Sequence, residues 1–277
     1  MSWQNLENKN PQSLAEARVQ LHYAVQPAAA VGIFLLEERP DWSHGALSYD
    51  PGAGAFFGQP LPGDLRAGLD VVGLKLVLEK SGQRIAEKDL AGSTYNQGLD
   101  WMQSQLRDQG VEGKLKRPEY PDFPDHALAG EARFQAGLET DLKELSRYFE
   151  NSLALLNDLA TANAGASPVR VWPHHFDIAT LISVREPSKP GGEDGVSIGV
   201  GLSPGDRSSA APYYYVTPWP YPDRDQLPEL GFGRWNTDGW VGALLEAGDI
   251  VGQMNQKEAA QGFLTDAVAA CTKLLAV

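Results

Sequence analysis

The sequence predicts an α+β protein of two similar subdomains, with antiparallel sheets covered by long helices. Three patterns carry that prediction. Apolar residues recur at three- and four-residue steps over residues 14–36, 93–109, 131–163 and 256–275, as in helices with one buried face. Between these blocks, runs such as Val196, Ile198, Val200 and Leu202 alternate with small or polar residues, the period of a half-buried strand. The Ser81-Gly82 and Ser203-Pro204-Gly205-Asp206 turns read as hairpin connections, which makes the sheets antiparallel.

Taken in order, Ser13-Leu14-Ala15-Glu16 has the spacing of a capping box and opens the first helix. Leu14, Ala17, Leu21, Ala24, Ala28, Val31 and Leu35 form its apolar stripe, Pro27 is expected to kink it, and Pro40 lies past its end. Strands are expected at residues 45–49, 55–59, 69–79 and 84–90, followed by a helix over 93–109 with Gly110 as its C-cap. Three prolines between Lys116 and Asp125 deny donors to any ladder, so residues 116–130 read as a linker. The longest helix is expected at 131–163, ended by Gly165, with strands resuming at Val169, over 196–202 and over 213–217, and a last helix over 256–275. This gives an N-terminal α+β subdomain at 11–115 and a C-terminal one at 131–277. Both contain a Trp-x-His segment, Trp42-Ser43-His44 and Trp172-Pro173-His174, which suggests an internal repeat; recurrence by chance is the competing reading.

Composition narrows the function. The 277 residues carry 23 Lys and Arg against 36 Asp and Glu, a formal charge of −13. Such a surface repels nucleic acid, whose phosphates need cationic neutralisation. The single cysteine, Cys271, leaves no intramolecular disulfide and no Cys-rich zinc site. The N-terminus lacks the basic and apolar regions of a secretory signal, and the most apolar stretch, residues 24–36, is shorter than the roughly 20 residues that span a bilayer. A soluble, cytoplasmic chain without membrane or nucleic-acid partners is expected.

The block VRVWPHHFDIATLI at 169–182, followed by GVSIGVGLSPGD, YYYVTPWPYPD and WNTDGWVGALLE, resembles a large bacterial family whose common domain has no assigned function. The resemblance runs over about residues 10–277 and rests on the combination of motifs. It implies an αβ architecture with an aromatic-rich strand ending in Phe-Asp, and no reaction.

The same block holds two of the five histidines, which lie at 22, 44, 126, 174 and 175. If residues 169–184 run as one strand, Trp172, His174, Phe176, Ile178, Ile182 and Val184 face one side, and His175, Asp177, Ala179 and Leu181 the other. His175 and Asp177 would then stand about 6.6–6.8 Å apart at their Cα atoms, within joint reach of one divalent cation if His44 or His22 supplied a third ligand. Zinc, manganese, iron or nickel would suit such donors, with an open position for hydrolysis. Against this stands a purely structural pair, Asp177 fixing the His175 tautomer. No zincin, nucleophile-elbow or phosphate-loop motif is present. The glycines at 195, 199, 201 and 205 precede no helix pattern and read as a hairpin rather than a dinucleotide fingerprint. Tyr213, Tyr214, Tyr215, Trp219, Tyr221, Trp235 and Trp240 suit either a core or a pocket wall.

Three functions remain open. The first is a small-molecule-binding protein with a pocket of Trp172, His174, His175, Asp177, Tyr215 and Trp219. The second is a metal-dependent hydrolase using His44, His175 and Asp177, and the third a non-catalytic scaffold or homo-oligomerisation module. No catalytic residue is singled out, and the only cofactor considered is a divalent metal.

Overall fold

Helix α1, Ala15–Leu35, is buried on almost every side, from Ala17 and then continuously from Gln20 to Gly32. One stripe was expected; its small side chains, four of them alanines between residues 24 and 30, let strands and a second helix approach from several directions. Gly32 shows how close the approach is: a Cβ there would lie 2.1 Å from the His44 carbonyl oxygen. The expected capping box is not formed. A 3-10 turn, Pro11–Leu14, leads into α1, and Leu14 at the N-cap makes no side-chain cap bond.

The computed structural model describes residues 2–8, 10–189 and 194–275. It divides into two compact units, an N-terminal one of Leu14–Ser146 with Arg170–Phe176, and a C-terminal one of Met1–Ser13, Arg147–Val169 and Asp177–Val277. The division falls inside a helix, and residues 116–130, expected as the linker, lie wholly within the N-terminal unit. Both Trp-x-His segments belong to that unit as well. The fold is α+β with antiparallel sheets.

In the N-terminal unit, β1 (Ser48–Asp50), β2 (Ala55–Phe57), β3 (Leu65–Asp70), β4 (Lys75–Lys80) and β5 (Gln83–Asp89) form an antiparallel meander in chain order. The sequence suggested one strand over 69–79; the structure has a hairpin there. The Asp70 carboxylate accepts from the Gly73 N–H at 2.9 Å, a local side-chain bond that closes the turn in place of extension, and Leu74 takes φ +46°. Helix α2, Tyr95–Asp108, opens on a true capping box, Thr94 with Gln97, at 2.9 and 3.2 Å. α1 packs on β3, β4 and α2, and Gly98 brings α2 against Leu76, Leu90 and Pro27.

Helix α3 spans Glu139–Ala162, eight residues shorter at its start than the sequence suggested. Residues 133 and 134 are taken instead by bridges: Phe134 donates to the Ser93 carbonyl and accepts from the Gly92 N–H, each at 2.9 Å. Short strand β6, Arg170–Trp172, exchanges two hydrogen bonds with Leu47 through Val171.

The C-terminal unit holds β7 (Asp177–Arg185), β8 (Val196–Ser203), β9 (Tyr213–Trp219), β10 (Arg234–Asn236) and β11 (Gly242–Glu246), in the spatial order β10-β11-β9-β8-β7. A bulge between Ser183 and Arg185 reverses the face of the strand end, so Val184 is exposed while Ile178 and Ile182 stay buried. The β8–β9 connection is a hairpin as expected, but its loop runs from Pro204 to Pro212. Asp206 organises it, accepting from the N–H groups of Ser208 and Ser209 and from the Tyr213 hydroxyl.

After the short α4 (Ala247–Val251), α5 (Gln256–Leu275) lays Ala259, Ala260, Phe263, Leu264 and Ala267 on this sheet. Asn255 caps α5, its Oδ1 accepting from the Glu258 N–H at 3.2 Å while its Nδ2 donates to the Glu258 carboxylate at 2.9 Å. Among the described residues, no helix is long and apolar enough to cross a membrane.

Candidate functional site

The Trp-Pro-His-His-Phe-Asp block is not one strand. β6 ends at Trp172, residues 173–176 form a turn, and β7 begins at Asp177. Phe176 closes the turn by donating to the Trp172 carbonyl at 2.6 Å, and its φ of +61° is costly for a residue with a large side chain. The turn is held from α1. His22 Nε2 and Gln26 Nε2 both donate to the Pro173 carbonyl at 2.8 Å, and the His22 ring stacks on Phe176 at 5.0 Å. Two side chains one helical turn apart thus fix one carbonyl, and the alternation expected for a straight strand is lost.

As a result, His174 is half-buried and His175 exposed, their rings meeting edge to face at 4.4 Å. Tyr120 and Trp172 flank His174, at 6.0 and 6.1 Å between ring centroids, and Phe123 lies 4.5 Å from His22. Burial drives the His22 pKa down to about 3, opposed by its bond to Pro173 and reinforced by Arg18, His175 and His174. Burial, then the neighbouring His175, takes His174 down to about 4. Both imidazoles are neutral at neutral pH, so each presents one donor and one acceptor nitrogen.

Near these residues are polar atoms left without partners: Tyr95 neighbours Tyr120 and Tyr23, and Gln26 bonds Pro173 through its other amide atom. Among the described residues, the Tyr95 and Tyr120 hydroxyls and Gln26 Oε1 are buried and make no hydrogen bond. Burial raises both phenols, and Tyr95 adds to the rise at Tyr120, so both stay protonated as potential donors. The Arg117 guanidinium sits over the Tyr95 and Tyr23 rings at 4.7 and 5.6 Å, anchored by a 2.6 Å bond to the Ala129 carbonyl.

Of the residues proposed from sequence, Trp172, His174 and His175 come together in the N-terminal unit. Asp177, Tyr215 and Trp219 belong to the C-terminal unit. There the Tyr215 hydroxyl donates to the Asp177 carboxylate, while Trp219 is exposed beside Tyr221. His44 is buried in its loop, its Nδ1 accepting from the Arg39 N–H at 3.1 Å. Among the described residues, no group of three or more His, Cys, Asp or Glu side chains is placed to hold a metal ion, so no His44, His175 and Asp177 set is assembled.

Tyr95, Arg117, Tyr120, Phe123 and Gln26 were not anticipated at the site. The signal for Gln26 was present: with His22 it interrupts the otherwise apolar run of residues 21–36 at four-residue spacing, which places two polar groups on one face. Tyr120 and Phe123 lay in a Pro-rich stretch whose irregular backbone hides its packing from periodicity. No protein-family model matches the sequence, and no curated protein or solved structure matches it.

Proposed function

We propose that this chain binds a small molecule at the imidazole and aromatic face formed by Trp172, His174 and His175 with Tyr120 and Phe123. One observation carries the reading: two buried hydroxyls and an amide oxygen stand unpartnered beside that face. Buried polar atoms are almost always hydrogen-bonded, and an unmade bond costs about 1–3 kcal/mol, so such a concentration points to a missing polar group. Tyr120 joins the two features, its ring beside His174 and its hydroxyl buried. The ligand that complements them has a flat ring to lie against Trp172 and Tyr120, and a small oxygen-bearing end to accept from neutral phenols.

A thermal-shift screen with planar aromatic acids, amides and heterocycles tests the reading. A ligand at about a hundred times its Kd adds about 2.7 kcal/mol of stability. That gain should vanish in His174→Ala and shrink in Tyr120→Phe, and persist in Met254→Ala, a fully exposed position. A screen without any stabilising compound, or a gain that survives both site variants, would sink the proposal.

A further inference from the structure

The segment that follows β9 builds an open surface hollow in the C-terminal unit. Tyr221, Pro222, Val241 and the exposed Asp223, Arg224, Asp225 and Gln226 line this open hollow, of about 690 Å³. That lies within the roughly 300–1,000 Å³ of small-ligand sites. By contrast, the hollow lined by Trp3, Asn151 and Lys257 holds only about 120 Å³.

The walls are of two kinds. Trp219 and Tyr221 are 44% and 46% exposed and meet edge to face at 5.4 Å, a partly exposed ledge of two rings. Beside it, the side chains of Asp223, Arg224, Asp225 and Gln226 make no hydrogen bond or ion pair with any described residue. A 3-10 turn, Arg224–Gln226, holds these polar residues close together, and Val241 is the buried apolar residue of the lining.

We propose that this hollow is a saccharide-binding site. A pyranose has an apolar C–H face that packs on an aromatic ring and a rim of hydroxyls that both donate and accept. The Asp223 and Asp225 carboxylates accept from vicinal hydroxyls, the Arg224 guanidinium donates, and the Gln226 amide does both. Other occupants fit less well. A purely apolar ligand would desolvate four polar side chains without replacing their bonds. A phosphorylated one meets two carboxylates on a chain of charge −13. A bare cation meets Arg224 set between the carboxylates in sequence.

Titration of the full chain with glucose, N-acetylglucosamine, maltotriose and cellotriose tests this, read by the indole N–H resonance of Trp219 as assigned from Trp219→Phe. At least one sugar should shift that resonance and saturate at about millimolar concentration, the range of weak specific sites. Tyr221→Ala and Asp225→Ala should each weaken it about tenfold, as loss of an anchor does. Tyr221→Phe should retain the affinity, because the ring is kept. The proposal is overturned if no sugar moves the resonance, if binding is unchanged in Tyr221→Ala and Asp225→Ala, or if adenosine, offered as a competing flat ligand, binds more tightly than every sugar.

Discussion

The Tyr215 hydroxyl reaches the Asp177 carboxylate by crossing over Gly201, on the strand that lies between β9 and β7. The glycine is required. A Cβ at 201 would stand 2.6 Å from the Tyr215 hydroxyl oxygen and 2.7 Å from the Ile178 carbonyl oxygen. Tyr215→Phe should therefore cost about 1.5–3 kcal/mol, the range for a hydrogen bond to a charged group. Gly201→Ala should break the same bond, so Tyr215→Phe added to it costs little more, and urea denaturation of the two singles and the double reads that coupling. Burial and the Asp177 charge hold the Tyr215 phenol well above its usual range. Above about pH 10 the unfolded chain loses this proton first, so stability falls as pH rises there, and Tyr215→Phe removes that fall.

His22 makes the opposite prediction at acid pH. Its folded pKa of about 3 lies below its ordinary 6.5, so between those values the unfolded chain takes up a proton that the folded one refuses. Stability is intact above pH 6.5 and declines as pH falls. From pH 7 to pH 4.5 the loss should be about 2–3 kcal/mol from this group. His174, lowered to about 4, adds to it over the upper part of the same window. Urea melts across that range should show a shallower slope in His22→Gln; an unchanged slope would mean that the acid sensitivity arises elsewhere.

The helices and the alternating strands were legible because a single period governs them: α5 occupies the expected residues 256–275, and β8 extends its expected run by one residue. What stayed hidden depends on side chains that bond locally against the period. Asp70 turned one expected strand into a hairpin, and His22 with Gln26 turned another into β6, a turn and β7. The candidate site was half legible. Trp172, His174 and His175 stood out by composition, whereas Tyr95 and Tyr120, 25 residues apart and in unlike local structure, share no pattern that would connect them. Tyr215 and Asp177, which the sequence reading puts in the pocket with the histidines, are joined by the structure to each other.

The unpartnered phenols make a prediction that separates ligand binding from stability. Removing a buried hydroxyl that bonds to nothing relieves a desolvation cost, so Tyr95→Phe and Tyr120→Phe should be neutral or stabilising by up to about 1 kcal/mol. An ordinary structural hydroxyl would show the reverse sign, about 1 kcal/mol of loss. Thermal melts of the two variants without ligand decide between these signs.

The packing of α1 and the start of α2 should differ sharply in their tolerance. At Gly32 an added Cβ meets backbone, the His44 carbonyl oxygen at 2.1 Å, and backbone cannot rotate away as a side chain can. Gly32→Ala should therefore cost about 3 kcal/mol or more, despite alanine's better helix propensity, because α1 must move off the Trp42–Gly45 segment. Thr94→Ala removes only one half of the capping box with Gln97 and should cost about 1 kcal/mol. Equilibrium denaturation of both variants checks the order. A Gly32→Ala protein as stable as the parent would mean that α1 and the His44 loop can separate without loss, and would remove the close approach as the reason for a glycine in a buried helix.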